Sequence, residues 1–385
     1  MRIAIVTDTF TPQVNGVTMV CQRMVEYLRA AGHAVAVVAP RYPGKMSALP
    51  ESELRVRSVP FPPYPDIRLS LPSYRGVRRY LDKFEPELVH VVVEGPLGLV
   101  GRRYALRRGL PLVTSFHTDF PRYTRDYGVG WLEPLVWRWL LWFHGPASVT
   151  HTPGRAVLEK LTQHGLAHAV LWGRGVDTAL FNPTKRDHAW RRVLGVHEGA
   201  TLVMHVGRLA LEKNLDVLID AWSSAQDELG SEAMFLLIGD GPVARDLESR
   251  APWVRRIGFV QHEELAKVYA SSDVCVLPSV TETLGLVALE AMASGLAVVA
   301  ADAGGFRESI CDGHDGLLVP PHAPSAYAAA IVRLCRDREF REALSRNARH
   351  SAEARDVTAE NAELIEGYRE VVGALGGDRA VATYA

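Results

Sequence analysis

Two glutamates eight residues apart, Glu282 and Glu290, lie in the stretch whose residue types and spacing could do chemistry. Residues 274–278 read as a buried strand, 287–293 as a helix, Ser294-Gly295 as its C-terminal cap and 296–300 as the next strand. Glu282 therefore falls on the loop after a strand end and Glu290 inside the helix. Gly285 stands near the helix start, where unpaired N–H groups and the helix dipole favour an anion. Two carboxylates near one helix are ordinarily solvated surface charges. Here Pro278, Gly285 and Gly295 punctuate a tight strand-loop-helix unit, and the chain supplies matching cations. Arg208 and Lys213 fall on another loop between a strand end (201–206) and a helix start, a place for neutralising a diphosphate. A ligand with phosphate in the middle and a hydroxyl-rich ring at each end, such as a nucleotide-sugar, suits this set.

The elements that must position these residues alternate strand and helix. Strand 3–6, the loop 7–16, a helix from about 17 to 31 and strand 34–38 make a first βαβ unit. A dinucleotide fold would place G-x-G-x-x-G in that loop and an acidic residue after the second strand. The loop has one glycine and the strand ends in Ala39-Pro40-Arg41, so NAD binding is disfavoured. Gly16 either lets backbone approach a ligand closely or serves a plain turn. Residues 41–75, rich in Pro and Arg around Phe61-Pro62-Pro63-Tyr64-Pro65-Asp66-Ile67-Arg68, read as one long loop. Strand 112–116 delivers His117-Thr118-Asp119 at its C-terminal end, where α/β sheets collect ligands; a buried structural histidine is the other reading of His117. In residues 131–143, Leu132, Leu135, Val136, Trp139, Leu140 and Phe143 repeat at helical spacing, with Trp137 and Arg138 off that stripe. A core-packed helix is one reading; an aromatic, basic face resting on a membrane or holding a lipid acceptor is the other. After residue 201 the pattern repeats, with Asn214 expected to N-cap a helix over 215–222. Gly239-Asp240-Gly241-Pro242 and Asp302-Ala303-Gly304-Gly305 follow later strands.

At 385 residues two domains of about 180 residues each are expected. The net charge of −1 points to neither nucleic acid nor an acidic tail, but residues 1–180 hold 22 Lys and Arg against 14 Asp and Glu, and the remainder 21 against 30. A basic half can meet anionic lipid or acceptor phosphate, or simply be solvated. Cys21, Cys275, Cys311 and Cys335 are scattered, without a C-x-x-C pair, as in a reduced cytosolic chain lacking a structural zinc site. The N-terminus enters a strand directly and no apolar run approaches bilayer-spanning length, so neither a signal peptide nor a membrane span is expected. The expected location is the cytoplasm, with any membrane contact peripheral, at the inner face of the cell membrane.

With these pieces placed, the sequence resembles the GT-B glycosyltransferases of family 4 over nearly its whole length. The resemblance rests on Thr-Pro-Gln-Val-Asn-Gly at 11–16, Phe-His-Thr-Asp at 116–119, Gly-Arg-Gly-Val-Asp at 173–177, Gly-Arg-Leu-x-x-x-Lys at 207–213, Gly-Asp-Gly-Pro at 239–242 and the Glu282-x7-Glu290 spacing. Any one motif alone is weak. Within the family the pattern is most similar to bacterial GDP-mannose-dependent α-mannosyltransferases of glycolipid synthesis. The resemblance implies an α/β fold of two Rossmann-like, doubly wound parallel-sheet domains facing a cleft. An acceptor-side domain would cover 1–180, with a C-terminal helix of about 360–376 packed back on it, and a donor domain 181–359. It implies that Arg208 and Lys213 bind the donor diphosphate and Glu290 the ribose. Glu282, with the backbone at Thr283, Leu284, Gly285 and Leu286, would hold the transferred sugar. Gly16, Gly207 and Val260 would border the donor, and His117, Asp119, Tyr64 and Arg68 the acceptor; His117, touching the sugar from the acceptor side, would be catalytic together with Arg208, Lys213 and Glu282. Leu284 stands where the family commonly has Phe, which bears on sugar selection. Family members retain anomeric configuration, usually without a metal, and no D-x-D triplet occurs in this chain. No cofactor beyond the nucleotide-sugar co-substrate is expected, and no nucleic-acid partner. A UDP-sugar donor such as UDP-glucose, a binding module that has lost transfer, and an epimerase on the same fold are the alternatives. The reading requires Arg208, Lys213, Glu282 and Glu290 to converge on one region.

Overall fold

The computed structural model describes residues 1–13, 15–43, 50–61, 64–126, 128–173 and 175–382. The chain divides into two compact units, Met1–Gly173 with Glu360–Ala385, and Arg174–Ala359.

In the first unit the strands are β1 (Arg2–Val6), β2 (Ala34–Pro40), β3 (Glu53–Val56), β4 (Ser58–Phe61), β5 (Tyr64–Ser70), β6 (Leu88–Val91), β7 (Leu112–Ser115), β8 (Val149–Thr152) and β9 (Ala169–Leu171). Among the described residues, seven form a parallel sheet in the order β3-β2-β1-β6-β7-β8-β9. Ile5 of β1 stands opposite Val37 of β2 on one side and His90 of β6 on the other. Successive side chains alternate between two buried faces, as parallel strands with helices on both sides require. Ile3, Ile5, Val35 and Val37 pack against Cys21, Met24 and Leu28 of the helix Gly16–Ala30, together with Leu364, Ile365 and Tyr368 of the C-terminal helix Val357–Ala382. Ala4, Val6, Val38 and Val89 pack against Val77, Leu81, Leu97 and Tyr104 on the other face.

The second unit contains β10 (Thr201–Val206), β11 (Ala233–Ile238), β12 (Arg255–Gly258), β13 (Val274–Leu277), β14 (Ala297–Ala301) and β15 (Leu317–Val319). They form a parallel sheet in the order β12-β11-β10-β13-β14-β15. Leu202, Met204, Cys275 and Val298 face one hydrophobic cluster, and Val203, Val274, Val276 and Val299 the other. From β10 the chain crosses to β11 on one side; from β13 it crosses to β14 on the other. The order reverses between β10 and β13, the position at which open α/β sheets bind ligands beyond the carboxyl ends of their strands.

Two sequence expectations change. Residues 41–75 are not one long loop: they contain β3 and the antiparallel hairpin β4–β5. Prolines argue against strands, yet Pro60 and Pro65 fit here because each strand of an isolated pair has a free edge that needs no N–H donor. On the helix Glu133–His144, Trp137, Leu140, Phe143 and His144 are buried, whereas Leu135, Trp139 and Trp142 are exposed. The buried stripe is therefore rotated from the expected one. With apolar residues on most sides of this helix, periodicity cannot choose the inner face; contact with Phe116, Val157 and Leu161 does.

Loops at the carboxyl edge of the second unit touch backbone to backbone. Gly239 has φ +127°, and a Cβ there would stand 1.9 Å from the Gly207 carbonyl oxygen. Gly239→Ala should cost about 2 kcal/mol or more of stability, from strain plus overlap. Denaturant unfolding checks this, and a variant as stable as wild type refutes it.

Candidate functional site

The donor-type residues of the second unit gather at the β10/β13 reversal. After β10 the chain passes Gly207 and half-buried Arg208 into a single 3₁₀ turn, Leu211–Lys213. After β13 it passes Glu282 to Gly285, whose φ of +78° opens the helix Leu286–Ala293. Lys213 Nζ donates to Glu282 Oε1 across the gap. Two further contacts tie the same loops: Asn214 Nδ2 donates to the Pro278 carbonyl at 3.3 Å, and Thr281 Oγ1 to the Glu212 carbonyl at 3.4 Å. Asn214 was expected to cap the next helix. Instead it takes the left-handed conformation (φ 56°), its side chain makes no cap, and the helix runs Leu215–Leu229. Burial pushes the Glu282 pKa up, but the Lys213 charge and hydrogen bond, helped by Ser279 and His205, outweigh it and hold the carboxyl below its usual range. The Glu282 carboxyl is thus ionised at neutral pH.

Glycines let the next loop close on this one. Gly305 N donates to the Glu282 carbonyl at 2.8 Å, and a Cβ on Gly305 would lie 2.4 Å from Leu284 Cα. Gly285 is fixed twice, by its positive φ and by the Phe306 ring 2.6 Å from where a Cβ would stand. Leu284 is buried in the core, Thr283 and Leu286 are half-buried, and half-buried Val260 packs on the same cluster. Glu290 lies on the inner side of its helix, 3 % exposed, and its Oε2 accepts from Tyr269 Oη at 3.3 Å. Lys213 and Glu282 are in contact, Arg208 shares the loop of Lys213, and Glu290 shares the loop-helix unit of Glu282.

The residues expected on the acceptor side lie in the first unit. Gly16 begins the helix Gly16–Ala30, with Asn15 as its cap accepting from Thr18 N at 2.8 Å; a Cβ on Gly16 would meet nothing within 4 Å. His117 follows β7, half-buried, its pKa lowered to about 4 by burial. Asp119 accepts from Arg122 N at 3.2 Å and Lys160 Nζ at 2.9 Å, the contacts of a helix cap and an ion pair. Arg68 clamps the β4–β5 hairpin through Ser58 Oγ (3.2 Å) and the Ser58 carbonyl (2.8 Å). The Tyr64 side chain lies outside the described residues.

Comparison with known proteins shows the family and the fold class. A model of Glycosyltransferase Family 4 matches residues 14–180, and one of Glycosyl transferases group 1 matches residues 187–351. A GDP-mannose-dependent alpha-mannosyltransferase of Mycolicibacterium smegmatis is 35 % identical over 379 residues, covering 97 % of this chain and 98 % of that one. The chain belongs to glycosyltransferase family 4. As a family 4 enzyme it is a hexosyltransferase. The sulfoquinovosyl transferase SQD2 of Arabidopsis thaliana is 34 % identical, covering 91 % of this chain and 70 % of that protein. Among solved structures, a sucrose-phosphate synthase from Thermosynechococcus elongatus superposes with a TM-score of 0.80 at 22 % identity, over 97 % of this chain and all of that one. The two parallel-sheet α/β domains are of the GT-B class.

Sequence reasoning missed several polar residues of this family 4 enzyme that are held by contacts between elements. Tyr269 positions Glu290 from another helix, and nothing in the spacing links positions 269 and 290. His205, on β10, is 2 % exposed. Its Nδ1 lies 2.8 Å from the Val276 carbonyl; a carbonyl only accepts, so Nδ1 carries the proton and Nε2 the lone pair. In the first unit, Asp8 at the end of β1 accepts from Leu97 N (3.1 Å) and Gly98 N (3.0 Å) at the start of the helix Pro96–Arg108. Glu94 Oε1 lies 3.1 Å from Nε2 of fully buried His144. Strand-end position was the available signal for Asp8 and Glu94.

Burial lowers the pKa of His90 well below normal, of His151 to about 3, and of His117 and His205 to about 4. Above the ordinary histidine value of about 6.5 these groups are neutral folded and unfolded. Below it the unfolded chain binds protons that the folded chain refuses, so stability drops as pH falls toward 4. Melting temperature should decline through that window, less steeply in His90→Gln/His151→Gln; equal slopes would rule these histidines out.

Proposed function

We propose that this family 4 enzyme moves a hexose, with retention and without a metal, from a nucleotide-sugar to a lipid or glycolipid acceptor. GDP-mannose is the favoured donor, in keeping with the name of its M. smegmatis relative. The observation that carries the proposal is the Lys213–Glu282 pair at the strand-order reversal, three residues ahead of the helix start at Gly285. In this reading Arg208, Lys213 and the N–H groups of the first turn after Gly285 meet the donor diphosphate. Glu282 and the backbone at 283–286 orient the sugar, and Glu290, held by Tyr269, takes ribose hydroxyls. Gly207 and Val260 line the donor. The acceptor hydroxyl oxygen bonds to the anomeric carbon on the face from which the diphosphate departs. The carbon–oxygen bond to phosphate breaks, and a phosphate oxygen takes the hydroxyl proton. Arg208 and Lys213 stabilise the charge that grows on the leaving diphosphate.

The donor sugar is the point at which a second reading stands. A relative named for a different hexose, sulfoquinovose, is nearly as similar as the one named for mannose. Leu284 is buried, so its effect on sugar choice would act through the backbone it positions. A thermal-shift panel of GDP- and UDP-sugars, followed by product analysis with a lipid extract, decides the donor. Stabilisation by UDP-sugars alone, with no shift by GDP-mannose, overturns the favoured one. Arg208→Ala should lower kcat by about 10²-fold or more, because the charge it meets develops mainly in the transition state; an unchanged kcat removes Arg208 from catalysis.

A lipid acceptor is supported by an exposed apolar and basic face on the first unit. Trp131 is 75 % exposed, Leu135 56 % and Trp142 51 %, with the Arg102 guanidinium 4.0 Å over the Trp142 ring and Arg138 exposed beside them. No helix among the described residues is long and apolar enough to cross a membrane. Interfacial contact of this kind combines apolar insertion with attraction to anionic lipid. The enzyme should sediment with anionic liposomes at low salt and be released at high salt, and Trp131→Ser/Leu135→Ser should weaken sedimentation. No binding at low salt refutes the membrane contact.

A further inference from the structure

The second unit carries a groove of about 730 Å³ on the edge of its sheet opposite the donor loops. Its walls are the helix His188–Leu194, the turn at 195–200 leading into β10, Ser272-Asp273 ahead of β13, Gly295 ahead of β14, and the helix Arg338–Glu353. It therefore sits at the amino ends of β10, β13 and β14, whereas Arg208, Lys213 and Glu282 follow the carboxyl ends of β10 and β13. Six arginines line it: Arg186, Arg191, Arg192, Arg338, Arg341 and Arg346. The lining acids are Glu198, Asp273 and Glu342. The concentration runs against the unit as a whole, since residues 174–359 hold 20 Lys and Arg against 26 Asp and Glu.

Some of this charge has a structural use. Arg186 Nη2 and Arg191 Nη1 grip the two oxygens of Asp273 at 2.6 and 2.9 Å, and both side chains also donate to carbonyls of residues 200 and 270–272. Arg338 pairs with Glu342 at 2.7 Å. Arg341 is anchored on the Leu334 and Cys335 carbonyls, which fix its position, and its charge, like that of Arg346, also acts on the Glu342 carboxyl. Arg192 and Arg346 stand exposed at the rim. Six arginines thus face three acids, so the lining keeps an excess of three positive charges.

We propose that this groove is a second anion site, taking a small molecule or headgroup with one or more phosphates. Its volume is that of a small-molecule site. Its cations are guanidinium groups, which match phosphate oxygens in a two-pronged geometry. Arg341 is held in place before the ligand arrives, which limits the entropy lost on binding.

Calorimetric titration of inorganic pyrophosphate into the full-length enzyme tests this. Wild type should show two classes of site, one lost in Arg208→Ala and the other weakened about tenfold or more in Arg192→Ser/Arg346→Ser. Arg192→Lys/Arg346→Lys should keep much of the second, since charge is retained. A single class, abolished by Arg208→Ala and untouched by the serine pair, overturns the proposal and leaves the donor site intact. Sedimentation with phosphatidylcholine vesicles containing phosphatidic acid then separates the sources. Given the second calorimetric site, weaker sedimentation of the serine pair supports a phosphate headgroup, and equal sedimentation supports a soluble phosphate.

Discussion

Lys213 and Glu282 meet because β10 and β13 are neighbours whose onward crossovers run in opposite directions. A strand order without that reversal would fill the space between their ends with a connecting segment. The reversal leaves the ends open, and two loops from distant parts of the chain lean across the gap. Each charge makes the other tolerable in a half-buried place: the lysine holds the carboxyl ionised against the cost of burial, and the carboxylate fixes the ammonium. The site is electrostatically prepared by its own framework.

That arrangement depends on backbone approaching backbone. The loops after β10, β11, β13 and β14 pack so closely that side chains cannot intervene. Gly239 against the Gly207 carbonyl, Gly241 against the Leu209 carbonyl and Gly305 against Leu284 each leave no room for a Cβ. Gly285 adds a backbone angle that opens the following helix toward the gap. The glycines set how closely these loops approach one another, and with that how far apart their polar side chains stand.

The two units use their burial differently. The first buries a polar set in which His90 lies 2.7 Å from Ser115 Oγ and 2.5 Å from Tyr368 Oη, so the C-terminal helix is locked to β6 by a directional contact as well as by packing. The same unit leaves Trp131, Trp139 and Trp142 exposed. The second unit places polar chemistry at both edges of its sheet: mixed charges at the carboxyl edge, guanidinium groups at the amino edge. Asp273 couples that second edge to the strands, since it also accepts from Leu202 N at 2.8 Å and so ties the start of β10 to the start of β13.

Local pattern determined much of this protein. Buried-strand runs, glycine stops and cation-bearing loops marked two α/β halves and placed Arg208, Lys213 and Glu282 on loops at strand ends and Glu290 inside a helix, because those features depend on neighbours within a few residues. Tertiary structure decided what depends on contacts across the chain. It turned Trp137 inward and Leu135 outward, since a helix apolar on most sides takes its inner face from whatever packs on it. It gave Asn214 to Pro278 instead of to a helix cap, folded the proline-rich segment into a hairpin, and brought Tyr269 to Glu290. It also gathered arginines from two helices more than a hundred residues apart into one groove. Sequence spacing carries the periodicity of a single element; which elements become neighbours is set by how buried faces fit, and no short window records that.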